Sequence, residues 1–237
     1  MELLYGRHAV QAVLSARRRT VQKLYLTSEK QLKDWRELVP SQLKIEILSG
    51  DQLSRLCQNS HHQGIALAAA SYPYVSDEEI LHRAKRQLVF LDQVTDPMNL
   101  GAILRSAAAF GVEGVILPQH GSASITPLVQ KVSVGNSEKL KIALVKNAAA
   151  FVKKARKADF WSVATVSHEG ESLNRFSFPQ KTLLVMGGEE KGIRPLVLKN
   201  CDFAVHLPIA ENVESLNVSV AFALFAYQCS QQMGITA

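Results

Sequence analysis

From Gln87 onward, six short apolar runs, at 87–91, 112–117, 141–145, 161–166, 182–186 and 204–209, alternate with helical stretches, the last helix spanning about 215–233. Strands separated by a helix pair in parallel, because the crossover carries the chain back to the edge it left. The alternation therefore predicts an α/β domain with a mostly parallel sheet and flanking helices. Ligands of such sheets gather beyond the carboxyl ends of the strands. Three of those ends carry polar or glycine-rich text, at 92–105, 186–192 and 208–217, and the others carry nothing comparable.

The first block reads LDQVTDPMNLGAILRSAAAFGV over 91–112. Asp96 suits the cap of a helix, since its carboxylate can accept from unpaired first-turn amides, and Pro97 fits the first helical position. Asn99 then falls in the first turn, at the positive end of the helix dipole, a place for an anion. Arg105 follows one and a half turns on, with Gly101 and Ala102 leaving space on the same side of the helix. Ile103, Leu104 and Ala107 to Phe110 are apolar, so the helix is expected to be mostly buried and Arg105 to be half-buried with a partner. The second block, MGGEEKG, has glycines at 187, 188 and 192, which permit positive φ and close approach of backbone to a ligand. Its spacing is not that of a dinucleotide loop. Glu189 is the carboxylate held beside the glycines, while Glu190 and Lys191 read as solvated. In the third block, LPIAENVESLNVSV, Ser215 is the expected helix cap and Asn217 a first-turn residue, with Val218, Val220, Ala221, Leu224 and Phe225 forming an apolar face for a core or a dimer interface.

The amino-terminal part alternates differently: a helix at 6–16, strand at 23–27, helix at 31–39, strand at 44–48, a helix opened by Ser49 and Asp51, and a strand at 64–70. That pattern predicts a small α/β domain over 1–72, a linker with one short helix over 73–86, and the larger domain over 87–237. Net charge is +6 and the isoelectric point about 9.3. Residues 1–75 hold ten basic against six acidic side chains, so the excess sits at the amino-terminal end and favours a polyanionic partner. The run Arg17-Arg18-Arg19, with Arg7 and His8, is the candidate set for binding a polyanion such as a nucleic acid. Cys57, Cys201 and Cys229 are scattered and form no CxxC pair, which argues for a reducing cytosol and against a disulfide framework or zinc site. His61-His62 point to opposite faces if on a strand and have no companion ligands, so no metal is expected. No secretory start is read, and 217–227 is too short to span a bilayer, so no membrane partner is expected either.

Together the three blocks resemble the SpoU (TrmH) family of RNA ribose 2′-O-methyltransferases, in order and in spacing, over about 87–234. YGRHAVQAVL and HHQGIAL resemble the ribosomal-protein-like substrate-binding domain attached to many members, particularly those that modify large-subunit ribosomal RNA. The resemblance implies a trefoil-knotted second domain, a homodimer, and S-adenosylmethionine held at Gly187, Leu207, Ile209 and Leu216, with Thr165 near the adenosine. It places the catalytic positions at Asn99, Arg105, Glu189 and Asn217. Glu211, where glycine is common, and Asn136 depart from the family pattern. A transfer-RNA methyltransferase and a non-catalytic RNA-binding paralogue of the same fold are the alternatives.

Overall fold

A computed structural model describes residues 1–189 and 191–234 in two compact units, one of residues 1–73 with 124–139, the other of 74–123 with the chain from Leu140 onward. Glu190 lies outside the described residues.

The first unit begins with β1 (Glu2–Tyr5), α1 (Arg7–Ala16), β2 (Val21–Leu26), α2 (Leu32–Trp35), β3 (Lys44–Ile47), α3 (Gly50–Cys57) and β4 (Ile65–Ala69). The sheet order is β1-β4-β2-β3, with β4 antiparallel to both neighbours and β2 parallel to β3. β1 was not expected; four residues are too few to show an alternation, and the strand exists because Leu4 packs into the core beside Leu24, Leu26 and Leu67. α3 opens as expected, through a capping box between Ser49 and Gln52. α2 is shorter than the predicted 31–39, since the chain turns at Leu38 and Val39, whose amides both return to Trp35 O ahead of Pro40.

The second unit starts inside the expected linker. α4 (Asp77–Arg83) is capped by Ser76, and Ile80 and Leu81 are core residues, while Val75 bridges to Ala143. β5 (Gln87–Asp92), α5 (Pro97–Ala109) and β6 (Gly114–Pro118) follow. The chain then returns to the first unit as α6 (Pro127–Val132) and a 3₁₀ turn at Asn136–Lys139. Gly135 makes that return possible: at φ +75° it lies against α1 so closely that a Cβ would meet Ala12 Cβ at 2.4 Å. Asn136 therefore belongs to the first unit.

β7 (Ile142–Val145), α7 (Ala148–Lys157), β8 (Trp161–Val166), β9 (Glu171–Ser172), β10 (Thr182–Gly187), α8 (Pro195–Leu198), β11 (Phe203–His206) and α9 (Val218–Gln232) complete the second unit. Its seven strands lie in the order β7-β6-β5-β10-β8-β11-β9 with every pairing parallel. Every residue of β5 is buried, as an interior strand covered on both faces must be. β11 ends at His206, so 207–209, expected as strand, is free of the sheet and faces a cleft.

Candidate active site

The carboxyl ends of β5 and β10 lie side by side, Asp92 opposite Gly187 in register. Two chain segments diverge there. After β5 the chain turns through Gln93 into α5, whose cap is Asp96: Oδ1 accepts from Met98 N at 3.1 Å and Oδ2 from Asn99 N at 3.2 Å. The anion at this helix terminus is thus the chain's own carboxylate, where the sequence reading left room for a ligand's. After β10 the chain folds back on itself, Gly192 N donating to Gly188 O at 2.9 Å. Gly188 must be glycine, because a Cβ would meet Gln93 O at 2.2 Å.

Asp92, fully buried, fastens the two segments. Its carbonyl accepts from Gly188 N at 2.8 Å, and its carboxylate accepts from Arg194 N at 2.9 Å, Nε at 2.8 Å and Nη2 at 2.5 Å. Such a charge-assisted fork holds both ends of the glycine loop in one place. Sequence reasoning missed this pair. The available signal was an aspartate closing a wholly apolar strand, which needs a cation at a position the loop alone does not reveal.

Glu189 stands at the tip of that loop. Its Oε1 accepts from Asn99 Nδ2 at 2.9 Å and from Asn217 Nδ2 at 2.7 Å, and Asn217 Nδ2 also reaches Asn99 Oδ1 at 2.9 Å. Three of the four expected polar residues, 90 and 28 positions apart in sequence, are joined here. Asn217, not Ser215, caps α9: its Oδ1 accepts from Ser219 N at 2.9 Å and from Ser219 Oγ at 2.6 Å. The serine is two residues too early for the turn that the chain makes.

Arg105 is not part of this cluster. It is exposed on α5, against the expectation of a half-buried side chain, and among the described residues no ion pair to it occurs. The apolar side of α5 turns toward the sheet and α9, and position 105 falls on the opposite side.

Two clefts flank Glu189. One, of about 380 Å³, is lined by Thr165, Gly187, Leu207, Ile209 and Leu216, all five of the residues singled out for a cofactor, with Glu214 and Phe225 among its other walls. Thr165 Oγ1 donates to Val185 O at 3.3 Å and so fixes the end of β8. The second, of about 290 Å³, lies between the α5 terminus and the loop and is lined by Gln93, Thr95, Asp96, Asn99 and Lys191. Gly188, Glu189, Lys191 and Val218 line both. Glu211 lines neither; it borders a neighbouring cleft with His168 and His206.

In the first unit the basic candidates separate by burial. Arg7, His8 and Arg17 are exposed, Arg7 pairing with Asp34 at 3.0 Å. Arg18 is half-buried and donates to Glu138 O at 2.9 Å. Arg19 is buried, 3.0 Å from Glu2 and 2.6 Å from Glu138, which removes it from any surface set. A run of three arginines reads as one patch, yet the chain turns within it and points the third inward.

A profile of the SpoU rRNA methylase family matches residues 86–227, and one of RNA 2′-O ribose methyltransferase substrate-binding domains matches 3–75. The chain belongs to the SpoU rRNA methylase family. A 23S rRNA (guanosine-2′-O-)-methyltransferase of Acinetobacter baylyi is 34% identical over 98% of this chain and 98% of that protein. An uncharacterized tRNA/rRNA methyltransferase of Synechocystis sp. is 34% identical over 99% of this chain, which spans 63% of that relative's length. The SpoU methyltransferase AviRb of Streptomyces viridochromogenes, solved with AdoMet, superposes with a TM-score of 0.83 at 25% identity, over 97% of this chain and 89% of that one.

Proposed function

We propose that the protein transfers a methyl group from S-adenosylmethionine to a ribose 2′-hydroxyl of large-subunit, 23S-type ribosomal RNA. The observation that carries this reading is the meeting of two clefts at one hydrogen-bonded cluster, Asn99–Glu189–Asn217. The larger cleft fits the cofactor. Its volume lies within the roughly 300–1,000 Å³ of small-molecule sites, its Leu, Ile and Phe walls suit an adenine, and Gly187 and Thr165 lie where a ribose needs small and polar neighbours. When bound, S-adenosylmethionine supplies an electrophilic methyl carbon.

The chain's own residues do the rest. Asn99 and Asn217 hold Glu189 Oε1, which directs the other carboxylate oxygen to a ribose hydroxyl in the smaller cleft. Orientation of this kind lowers the barrier by removing rotational freedom before the reaction. Arg105, exposed and outside both clefts, acts as a cation: a guanidinium carries a permanent charge, which makes it a poor base but lets it grip a phosphate oxygen of the RNA. Arg7, His8 and Arg17 add charge for RNA capture. The carboxy-terminal segment forms the trefoil knot, which would account for Asn217 reaching Asn99 across 118 positions. A second copy covers the exposed apolar residues Met98, Val220, Leu224 and Tyr227 on α5 and α9, making a homodimer; light scattering reads it. Among the described residues no helix is long and apolar enough to cross a membrane, and the ribosomal substrate places the enzyme in the cytoplasm.

Mapping 2′-O-methyl groups in ribosomal RNA from cells with and without the protein tests the proposal. One site in the large-subunit RNA should disappear with the gene; identical maps refute the reading.

A further inference from the structure

Several non-glycine residues adopt a left-handed backbone, and all but one have a local reason. Arg17, Gln58, Val134 and Asp159 follow the ends of α1, α3, α6 and α7, where that conformation terminates a helix. Gln63 uses its side chain, Oε1 accepting from Arg7 N at 2.9 Å. Glu169 precedes Gly170 in a turn, with its carbonyl 3.1 Å from His206 Nδ1.

Gln93, at φ +62°, has neither reason. It follows a strand, ends no helix, and among the described residues its amide meets no hydrogen-bond partner. The backbone does require the left-handed turn, because this is what lays Gln93 O against Gly188. Glycine would make that turn without strain. Gln93, half-buried, lines the smaller cleft beside Thr95 and Asn99. Strain kept at the wall of a functional cleft, by a side chain with no internal use, marks a ligand contact.

We propose that Gln93 is a specificity-determining residue that reads the nucleobase of the acceptor nucleotide, an assignment that rests on the RNA methyltransferase reading above. A carboxamide donates and accepts at once, which matches the adjacent donors and acceptors on the edge of a base. A phosphate fits less well, since the two carboxylates of Asp96 and Glu189 outnumber the one ammonium of Lys191 in the described lining of the cleft.

Gln93→Gly separates this role from a structural one, because it relieves the backbone while removing the amide. The full-length variant should keep or raise the thermal midpoint and bind S-adenosylmethionine as the wild type does. Its KM for unmodified large-subunit RNA transcript should rise about tenfold, the worth of one specific polar contact, more than kcat falls. Transcripts with the acceptor base replaced, which the wild type discriminates against, should be methylated by the variant nearly as well as the original. Gln93→Asn, an amide that tolerates the left-handed region, should recover part of the loss. Unchanged KM and unchanged base preference in Gln93→Gly overturn the proposal. A lowered thermal midpoint in both variants, with cofactor binding lost, also overturns it, making the residue structural. Wild-type protein that methylates no ribose at all fails the underlying reading instead.

Discussion

Removing the Arg19 guanidinium should destabilise the first unit by about 3 kcal/mol without weakening RNA binding. The Arg19 side chain is wholly enclosed and that of Glu138 is 1% exposed, whereas Glu2 retains some solvent. Arg19→Met leaves Glu138 as a buried carboxylate without the guanidinium that pairs with it at 2.6 Å, a change that costs about 3–5 kcal/mol when nothing replaces the cation. The lower end applies, because Gln130 Nε2 still donates to Glu138 Oε1. The pair itself is imperfect: Arg19 Nη2 is close to Glu138 but off the hydrogen-bonding angle, and among the described residues Arg19 Nε and Glu138 Oε2 have no hydrogen-bond partner. Replacing both residues by methionine should therefore cost much less than replacing either. The chain offers a convenient probe, having two tryptophans, Trp35 buried in the first unit at 4% exposure and Trp161 half-exposed in the second. In a Trp161→Phe background, urea unfolding followed by Trp35 emission should shift by about 1.5–2 M, taking a slope of roughly 1.5–2 kcal/mol per molar. A shift below about 0.3 M, or a double variant worse than the sum of the singles, would refute the argument that Glu138 belongs to this unit's core.

Glu189→Gln keeps the shape of the cluster but removes its charge, so kcat should fall about a hundredfold with cofactor affinity by calorimetry little changed; undiminished turnover removes Glu189 from the mechanism. Arg7→Ala with Arg17→Ala should lower the slope of log affinity against log salt by about one to two for ribosomal RNA, while Arg19→Met leaves the slope alone; the opposite pattern reverses the surface assignment. Arg194→Lys keeps the charge on Asp92 but loses the fork, and S-adenosylmethionine affinity should drop about tenfold as the glycine loop loosens; unaltered affinity means the backbone bonds suffice. Burial pushes the thiols of Cys201 and Cys229 up to about 12 from 9.0. Above pH 9 the unfolded chain sheds protons that the folded chain keeps, so stability falls as pH rises toward 12, by up to about 1.4 kcal/mol per pH unit for each thiol. Cys229→Ala should flatten that fall in alkaline urea titrations, and an identical slope contradicts it.

Periodicity and turn chemistry carried the reading of the second unit, because its parallel strands are continuous apolar runs and its helices open on strong caps such as Asp96. What they could not carry were contacts whose two halves are far apart in sequence. Asp92 and Arg194 lie 102 positions apart, and neither residue type announces the other. The return of 124–139 to the first unit rests on Gly135 and on the buried Arg19–Glu138 pair, and the text of that segment reads as ordinary loop and short helix. The expected half-burial of Arg105 failed for a different reason: an alanine-rich helix looks apolar on all sides, yet small side chains do not settle which side faces the sheet. Its exposure follows from the packing of α5 on α9, a tertiary fact.

The cluster around Glu189 constrains the chemistry more tightly than its composition does. Asn217 Oδ1 is committed to capping α9, so its Nδ2 must face Glu189 and Asn99. Asn99 Oδ1 is then taken by Asn217, which turns its own Nδ2 to Glu189. Each bond in the triangle is donated by an amide, and amides do not exchange a proton with substrate near neutral pH. The cap of a helix in the last block thereby fixes the rotamer of an acid in the second. A carboxylate held by one oxygen from two sides can offer the other only in a narrow range of directions, and Glu189 lines both clefts. In the proposed transfer the cluster positions the ribose oxygen as its proton departs, and positioning is the contribution that a preorganised cluster makes without itself changing charge.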